Sequence, residues 1–123
     1  MSGTSTILIA DDSAAQRKLL ELTLKDYTVL VAEDGAEALG YLETHTPELI
    51  VLDVDMPFAT GVEVCERVKQ DPAHEHVPVI IVTSMRDERT RQAAQEAGAT
   101  LFLNKPLARG PFLEEVARLL TPA

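Results

Sequence analysis

A doubly wound α/β fold, with a five-stranded parallel sheet covered by five helices, is what the sequence predicts, and two observations carry it. Five short runs rich in Val, Ile and Leu recur along the 123 residues, and a stretch with helical punctuation follows each of them. Each run is nearly unbroken in apolar character, the habit of strands covered on both faces in a parallel sheet. Strands that alternate with helices join through right-handed crossovers into one layered domain.

The elements can be taken in chain order. The first strand spans residues 6–10. Ser13 and Gln16 then have the spacing of a capping box, in which two residues satisfy each other's orphaned amides at a helix start. The helix they open carries Ala15, Leu19 and Leu22 as an apolar stripe, widened by Leu20 and Leu24. A second strand, 28–32, precedes Asp34 and Glu37, which have the same capping spacing. The third strand, 49–52, leads to a helix over about 62–70 that aligns Val62, Cys65 and Val68 and stops before Asp71-Pro72. After the fourth strand, 79–82, comes a helix bearing Ala93, Ala94 and Ala97, with Gly98 in the left-handed position that ends it. The fifth strand is 100–103. The last helix is expected to open at Pro111, to place Glu114 and Glu115 near its positive end, and to bury Phe112, Val116 and Leu119. Cys65 reads as core packing, Tyr27 and Tyr41 as half-buried packing, and His45, His74 and His76 as solvated surface.

Composition narrows the function. Lys and Arg number 11 against 20 Asp and Glu, a formal charge of −9, with 46% hydrophobic and 25% charged residues. These proportions are those of soluble globular chains. A chain of this length buries roughly two-thirds of its unfolded surface, enough for one core without staples. The acidic balance, without a Lys/Arg cluster, argues against nucleic acid or membrane surfaces as partners. No apolar stretch reaches the roughly 20 residues that cross a bilayer. The lone Cys65 and a start without a basic, then apolar, leader lead us to expect a cytoplasmic protein.

In doubly wound folds ligands bind beyond the carboxyl ends of the strands. Those ends carry Asp11-Asp12, Asp53, Thr83 and Lys105, with Glu33 and Asp34 after the second strand. Gathered carboxylates repel by about 4 kcal/mol per pair at 4 Å and an effective dielectric near 20. A divalent cation offsets that repulsion, and an all-oxygen site with room for phosphate oxygens suits Mg²⁺. A carboxylate beside Mg²⁺ and an ammonium can act as a nucleophile toward phosphorus. Asp53, ending a central strand, is the candidate, with Lys105 and Thr83 as electrostatic and hydrogen-bonding partners of the transferred group.

These residues resemble a family. Asp11-Asp12, the run Leu52-Asp53-Val54-Asp55-Met56-Pro57 with Gly61, then Val82-Thr83-Ser84, then Asn104-Lys105-Pro106, look like the receiver domain of two-component response regulators. The resemblance covers about Thr6 to Leu120, four motifs in order, each following its own strand. It implies a flavodoxin-like sheet of strand order 2-1-3-4-5 and a phosphoryl group taken by Asp53 from a histidine kinase or histidine phosphotransfer protein. It further implies Mg²⁺ held by Asp11, Asp12, Asp53 and the backbone carbonyl of Asp55. Thr83 and Phe102 match the switch pair, Lys105 the phosphoryl contact, and Lys105-Pro106 a cis peptide. Such a domain is no enzyme beyond its own phosphorylation and slow dephosphorylation. Output is expected through a protein target on the face of the fourth helix, fifth strand and fifth helix.

The chain departs from the family pattern in three places. Phe102 lacks a tyrosine hydroxyl, so its movement is a change of shape alone. Thr60 stands where an acid often precedes the glycine matching Gly61. Asp55 adds a carboxylate that either aids or repels an attacking water. The switch itself is energetically reachable: inverting a 1:99 equilibrium takes about 5.5 kcal/mol. A phosphate near Lys105 supplies a few kcal/mol by the Coulomb estimate above, and a charge-assisted bond from Thr83 about 1.5–3 more. The bistable part is expected in the loop after Thr83 and the fourth helix, where Met85 and a few alanines are the apolar cover.

Two other readings fit less well. Asp53-Val54-Asp55 also resembles the nucleophile motif of haloacid-dehalogenase-like phosphatases, but those place it at the first strand and their metal acids last. An inert receiver-like docking module, or a flavin binder, fits poorly with an intact acidic pair, Asp53, Thr83 and Lys105, and two carboxylates after the first strand would repel a flavin phosphate. The expectation is a single receiver domain, 1–123, with its core at about 6–120; the chain stops three residues after the fifth helix, so no output domain is expected.

Overall fold

The computed structural model describes residues 5–121. The elements run β1 (Thr6–Ala10), α1 (Ala14–Thr23), β2 (Thr28–Ala32), α2 (Gly35–Thr44), β3 (Leu49–Asp53), α3 (Gly61–Gln70), β4 (Val79–Thr83), α4 (Glu88–Glu96), β5 (Leu101–Asn104) and α5 (Arg109–Leu120). All strands are parallel, in the order β2-β1-β3-β4-β5. The fold is the expected doubly wound sheet. Among the described residues no helix is long and apolar enough to cross a membrane.

Side-chain alternation along each strand divides the core in two. Ile7 and Ile9, Leu49 and Val51, and Ile80 and Val82 pack with Leu20 of α1, Leu24 at its C-cap, and Phe112 and Val116 of α5. Leu8 and Ala10, Ile50 and Leu52, and Val79 and Ile81 pack with Ala38 and Leu42 of α2, Val64, Cys65 and Val68 of α3, and Ala94 of α4. Each strand is thus apolar on both sides, which explains the unbroken runs. β1 lies between β2 and β3, so strand order reverses there, and that switch point fixes the crevice where ligands bind.

Several boundaries and faces differ from the sequence reading. The buried α1 stripe is narrower than its spacing predicts: Leu20 and Leu24 are buried, but Leu19 and Leu22 are 57% and 58% exposed. Five apolar residues make two adjoining rows on this helix, and the sheet accepts one. α5 begins at Arg109 with no side-chain cap at Ala108, so Pro111 is its third residue. The first-turn amides have no helical partner anyway, and a proline is tolerated there. Glu114 and Glu115 consequently lie past the first turn, where Glu115 holds Arg118 at 2.6 Å. β5 starts one residue late, at Leu101, and both Asp53 and Thr83 are the last residues of their strands rather than the first beyond them.

His74 is not solvated surface. It is buried, with Nδ1 2.8 Å from Asp71 Oδ2 and Nε2 3.1 Å from the His45 carbonyl, and so ties the α3–β4 turn to the end of α2. His45 and His76 are exposed, as expected. Cys65 is fully buried, its Sγ 3.5 Å from the Ala97 carbonyl, and burial pushes its pKa up to about 11. That thiol is core packing. Gly98 has φ 95° and ends α4 in the left-handed conformation.

The predicted capping residues act, with one change of partner each. Ser13 Oγ accepts from the Gln16 amide, but the Ser13 amide donates to Asp11 Oδ1 at 2.9 Å instead of to Gln16. Asp34 accepts from Glu37 N, while Glu37 Oε1 takes the amide of Glu33. The complete capping box is on α3, where Thr60 and Glu63 exchange both bonds. Thr60, which departs from the family pattern, therefore has a plain structural use.

Gly61, opening α3, shows why this loop is tight. A Cβ there would run into the Asp53 carbonyl oxygen and lie 2.9 Å from its carbon, both backbone atoms that cannot step aside. Gly61→Ala is expected to cost about 1–3 kcal/mol through forced backbone shifts, read as a lower urea midpoint with unchanged slope. A midpoint equal to that of the wild type would show that the loop yields freely.

Candidate functional site

The period of two that sorts the core also aims the site. Asp11 continues the row of Ile7 and Ile9, Asp53 that of Leu49 and Val51, and Lys105 that of Leu101 and Leu103, so all three address the α1/α5 side of the sheet end. Lys105 Nζ lies 2.9 Å from Asp11 Oδ2 and 3.0 Å from Asp53 Oδ1. Asp11 and Asp53 are buried, at 2% and 7% exposure, whereas Asp12 is exposed. Carboxylate oxygens of Asp11, Asp12 and Asp53 all fall within 4.8 Å of one another. One ammonium against three carboxylates leaves the crevice with excess negative charge. An all-carboxylate cluster of this spacing is the donor set of a hard divalent cation.

Two shifts record the local balance. Burial, with Asp11 and Asp12 adding repulsion, raises Asp53 from 3.8 to about 6 despite its hydrogen bond from Lys105. Burial disfavours the Lys105 ammonium, but hydrogen bonds and charge from Asp11 and Asp53 outweigh it and hold its pKa above the ordinary value. Asp53 is thus mostly ionised at neutral pH, and Lys105 charged beside it.

Backbone ties keep these groups in place. Asp11 receives the Ser13 amide on one oxygen and Lys105 on the other, while its carbonyl accepts from Arg17 Nη1 at 2.9 Å. The Lys105 amide donates to the Thr83 carbonyl at 2.9 Å, and the Lys105–Pro106 peptide is cis. Asn104 Nδ2 donates to the carbonyls of Thr83 at 3.2 Å and Met85 at 2.7 Å, fastening the β4–α4 loop to the end of β5. Asn104 has no role in the sequence motif that contains it; a polar residue closing an edge strand is the signal that marks it.

Thr83 and Phe102 fall on the other parity. Thr83 follows Ile81 in its row, and Phe102 is paired with Ile81, so both address the α2–α4 side. Thr83 is fully buried and its Oγ1 accepts the Met85 amide at 3.0 Å; Phe102 is half-buried. Asp55 is exposed on the loop after β3, outside the three-carboxylate cluster.

This strand order, with acids at the β1/β3 switch point and a lysine after β5, defines a class of doubly wound domain with an acidic, cation-accepting crevice. The comparisons agree with that class. The family described as response regulator receiver domain matches residues 7–117, and the chain belongs to it. It is 40% identical over 106 residues to response regulator PleD of Caulobacter vibrioides, an alignment covering 85% of this chain and 23% of that protein. The chain therefore spans about a quarter of the length of that relative. Two crystal structures superpose closely. The signal receiver domain of a signal transduction histidine kinase from Syntrophus aciditrophicus does so with TM-score 0.89 and 34% identity, covering 94% of this chain and 89% of that one. Chemotaxis protein CheY4 of Vibrio cholerae also gives 0.89, at 31% identity, covering 96% of this chain and all of its own.

Proposed function

We propose that this receiver domain, one unit over about residues 6–120, accepts a phosphoryl group on Asp53 from the phosphohistidine of a histidine kinase or histidine phosphotransfer protein. An Asp53 carboxylate oxygen attacks phosphorus, the P–N bond breaks, and its electron pair returns to the donor's imidazole. The observation that carries the reading is Lys105 Nζ within 3.0 Å of both Asp11 and Asp53, placing an ammonium, a nucleophile and cation-binding acids in one crevice. Asp11, Asp12, Asp53 and the Asp55 carbonyl would hold Mg²⁺, which when bound neutralises charge on the transferring group. Lys105 and Thr83 are the chain's own stabilisers of that charge.

Thr83 reaches the phosphoryl group by giving up the Met85 amide it now accepts, which pulls on the β4–α4 loop. Phe102, on the same side of the sheet, fills or vacates the space behind it. The change is read by a protein target on α4, β5 and α5, in the cytoplasm, without direct nucleic-acid or membrane contact. No catalysis is assigned beyond the domain's own phosphorylation and slow dephosphorylation.

The experiment is incubation with Mg²⁺ and acetyl phosphate, followed by intact mass. The expected product carries one phosphoryl group per chain and is not formed in EDTA. Continuous release of phosphate from monoesters would instead support the phosphatase reading, and failure of Mg²⁺ to bind would support an inert docking module.

A further inference from the structure

Phe58 sits on the β3–α3 loop with φ 71° and is 84% exposed. A bulky residue in the left-handed region is a conformational outlier, and such backbone persists where the surroundings over-determine it. Here they do. The Gly61 amide donates to the Val54 carbonyl at 3.0 Å, Thr60 is locked in its capping box, and the Ala59 carbonyl presses on Gly35 where no Cβ would fit. The loop is clamped on both sides of an aromatic ring that little of the protein covers. Met85, 42% exposed, lies on the loop leaving β4 at the same carboxyl end of the sheet, and Asp53 and Val82 are register partners on these neighbouring strands. Two of the four exposed large hydrophobics among the described residues thus stand on the loops that follow the acceptor strand and its neighbour.

We propose that Phe58, supported by Met85, is a specificity-determining contact for the protein that donates the phosphoryl group. This rests on the reading of Asp53 as acceptor. Because Asp53 is only 7% exposed, a phosphohistidine carried on a protein must bring the surrounding surface down onto the crevice mouth. The loop after β3 then falls inside the donor's footprint. An uncharged aromatic held rigidly there is a low-entropy anchor for an apolar patch, the kind of residue on which binding energy concentrates. A small phosphodonor reaches Asp53 without touching it.

The test uses the autophosphorylated kinase or phosphotransfer domain of the same organism that transfers fastest to the wild-type chain, with acetyl phosphate alongside. Phe58→Asn suits the left-handed backbone and is expected to keep or raise Tm. It should lower transfer from the protein donor by about tenfold or more, mainly through a higher KM for the donor. Labelling by acetyl phosphate should stay within about twofold, and Phe58→Tyr should restore donor transfer by supplying an equivalent ring. The proposal is overturned if Phe58→Asn takes phosphoryl from the protein donor at the wild-type rate, if both donors slow together, or if only binding of a downstream target weakens. Failure of the wild type to be labelled by acetyl phosphate would sink the acceptor reading itself, a result separable from all of these.

Discussion

Replacing Asp53 by asparagine is expected to abolish phosphoryl uptake and at the same time make the fold more stable. An amide oxygen lacks the charge and nucleophilicity to form the acyl phosphate, so no labelled species should be seen by intact mass with any donor. The stability gain comes from electrostatics. Asp53 is raised from 3.8 to about 6, chiefly by burial and then by Asp11 and Asp12. Keeping it ionised at neutral pH costs about 1–3 kcal/mol, the lower figures allowing for water at the crevice mouth. Asparagine removes that cost while Lys105 keeps its bond to Asp11. The pH dependence has a definite sign. Between about pH 4 and 6 the native carboxyl binds more proton than the unfolded one, so wild-type stability in Mg²⁺-free buffer falls as pH rises through that window. Above it this group adds no further slope. Urea midpoints measured across the window should decline for the wild type and lack this decline in Asp53→Asn; identical curves would contradict the electrostatic account.

Lys105→Gln should produce the second largest loss. The ammonium lies 2.9 Å from Asp11, 94 residues away in the chain, and 3.0 Å from Asp53, bridging the two buried acids. Without it, each carboxylate pair faces a repulsion of about 4 kcal/mol at 4 Å and an effective dielectric near 20. Asp53 is then driven still further toward its protonated, non-nucleophilic form. Removing one preorganised stabiliser of transition-state charge typically costs about 10² to 10³ in rate. Labelling by acetyl phosphate at pH 7 should slow by that order, and part of the loss should return at higher pH as Asp53 ionises. A rate within a few-fold of wild type, or one that does not recover with pH, would show that Lys105 is not the partner of the transferred group.

Much of this was legible in the sequence because the signals are short-range. Unbroken Val/Ile/Leu runs mark strands buried on two faces, and the residues at their ends are polar where the sheet meets solvent. The same alternation could have sorted the site: Asp11, Asp53 and Lys105 share the parity of one core face, Thr83 and Phe102 that of the other. What local pattern could not settle was competition for partners. Leu19 and Leu22 satisfy helical spacing as well as Leu20 and Leu24 do, and only packing on Ile7 and Ile9 decides which row is buried. Ser13 has the spacing to pair with Gln16, but its amide is taken by Asp11, an acid whose position also suits a cation. His74 looked solvated among Pro72, Glu75 and His76; its burial depends on a carbonyl 29 residues away at His45. The strain at Phe58 has no sequence signature apart from a bulky residue at a turn.

Asn104 gives the edge of the sheet a say in the chemistry at its centre. Because one side-chain amide grips the carbonyls of both Thr83 and Met85, the outermost strand and the loop after β4 form a single clip. Coupling free energies run equally in both directions. A target that clasps the outer strand more tightly after phosphorylation must, by the same factor, shift the equilibrium of phosphorylation itself, so the listener becomes part of what loads the signal.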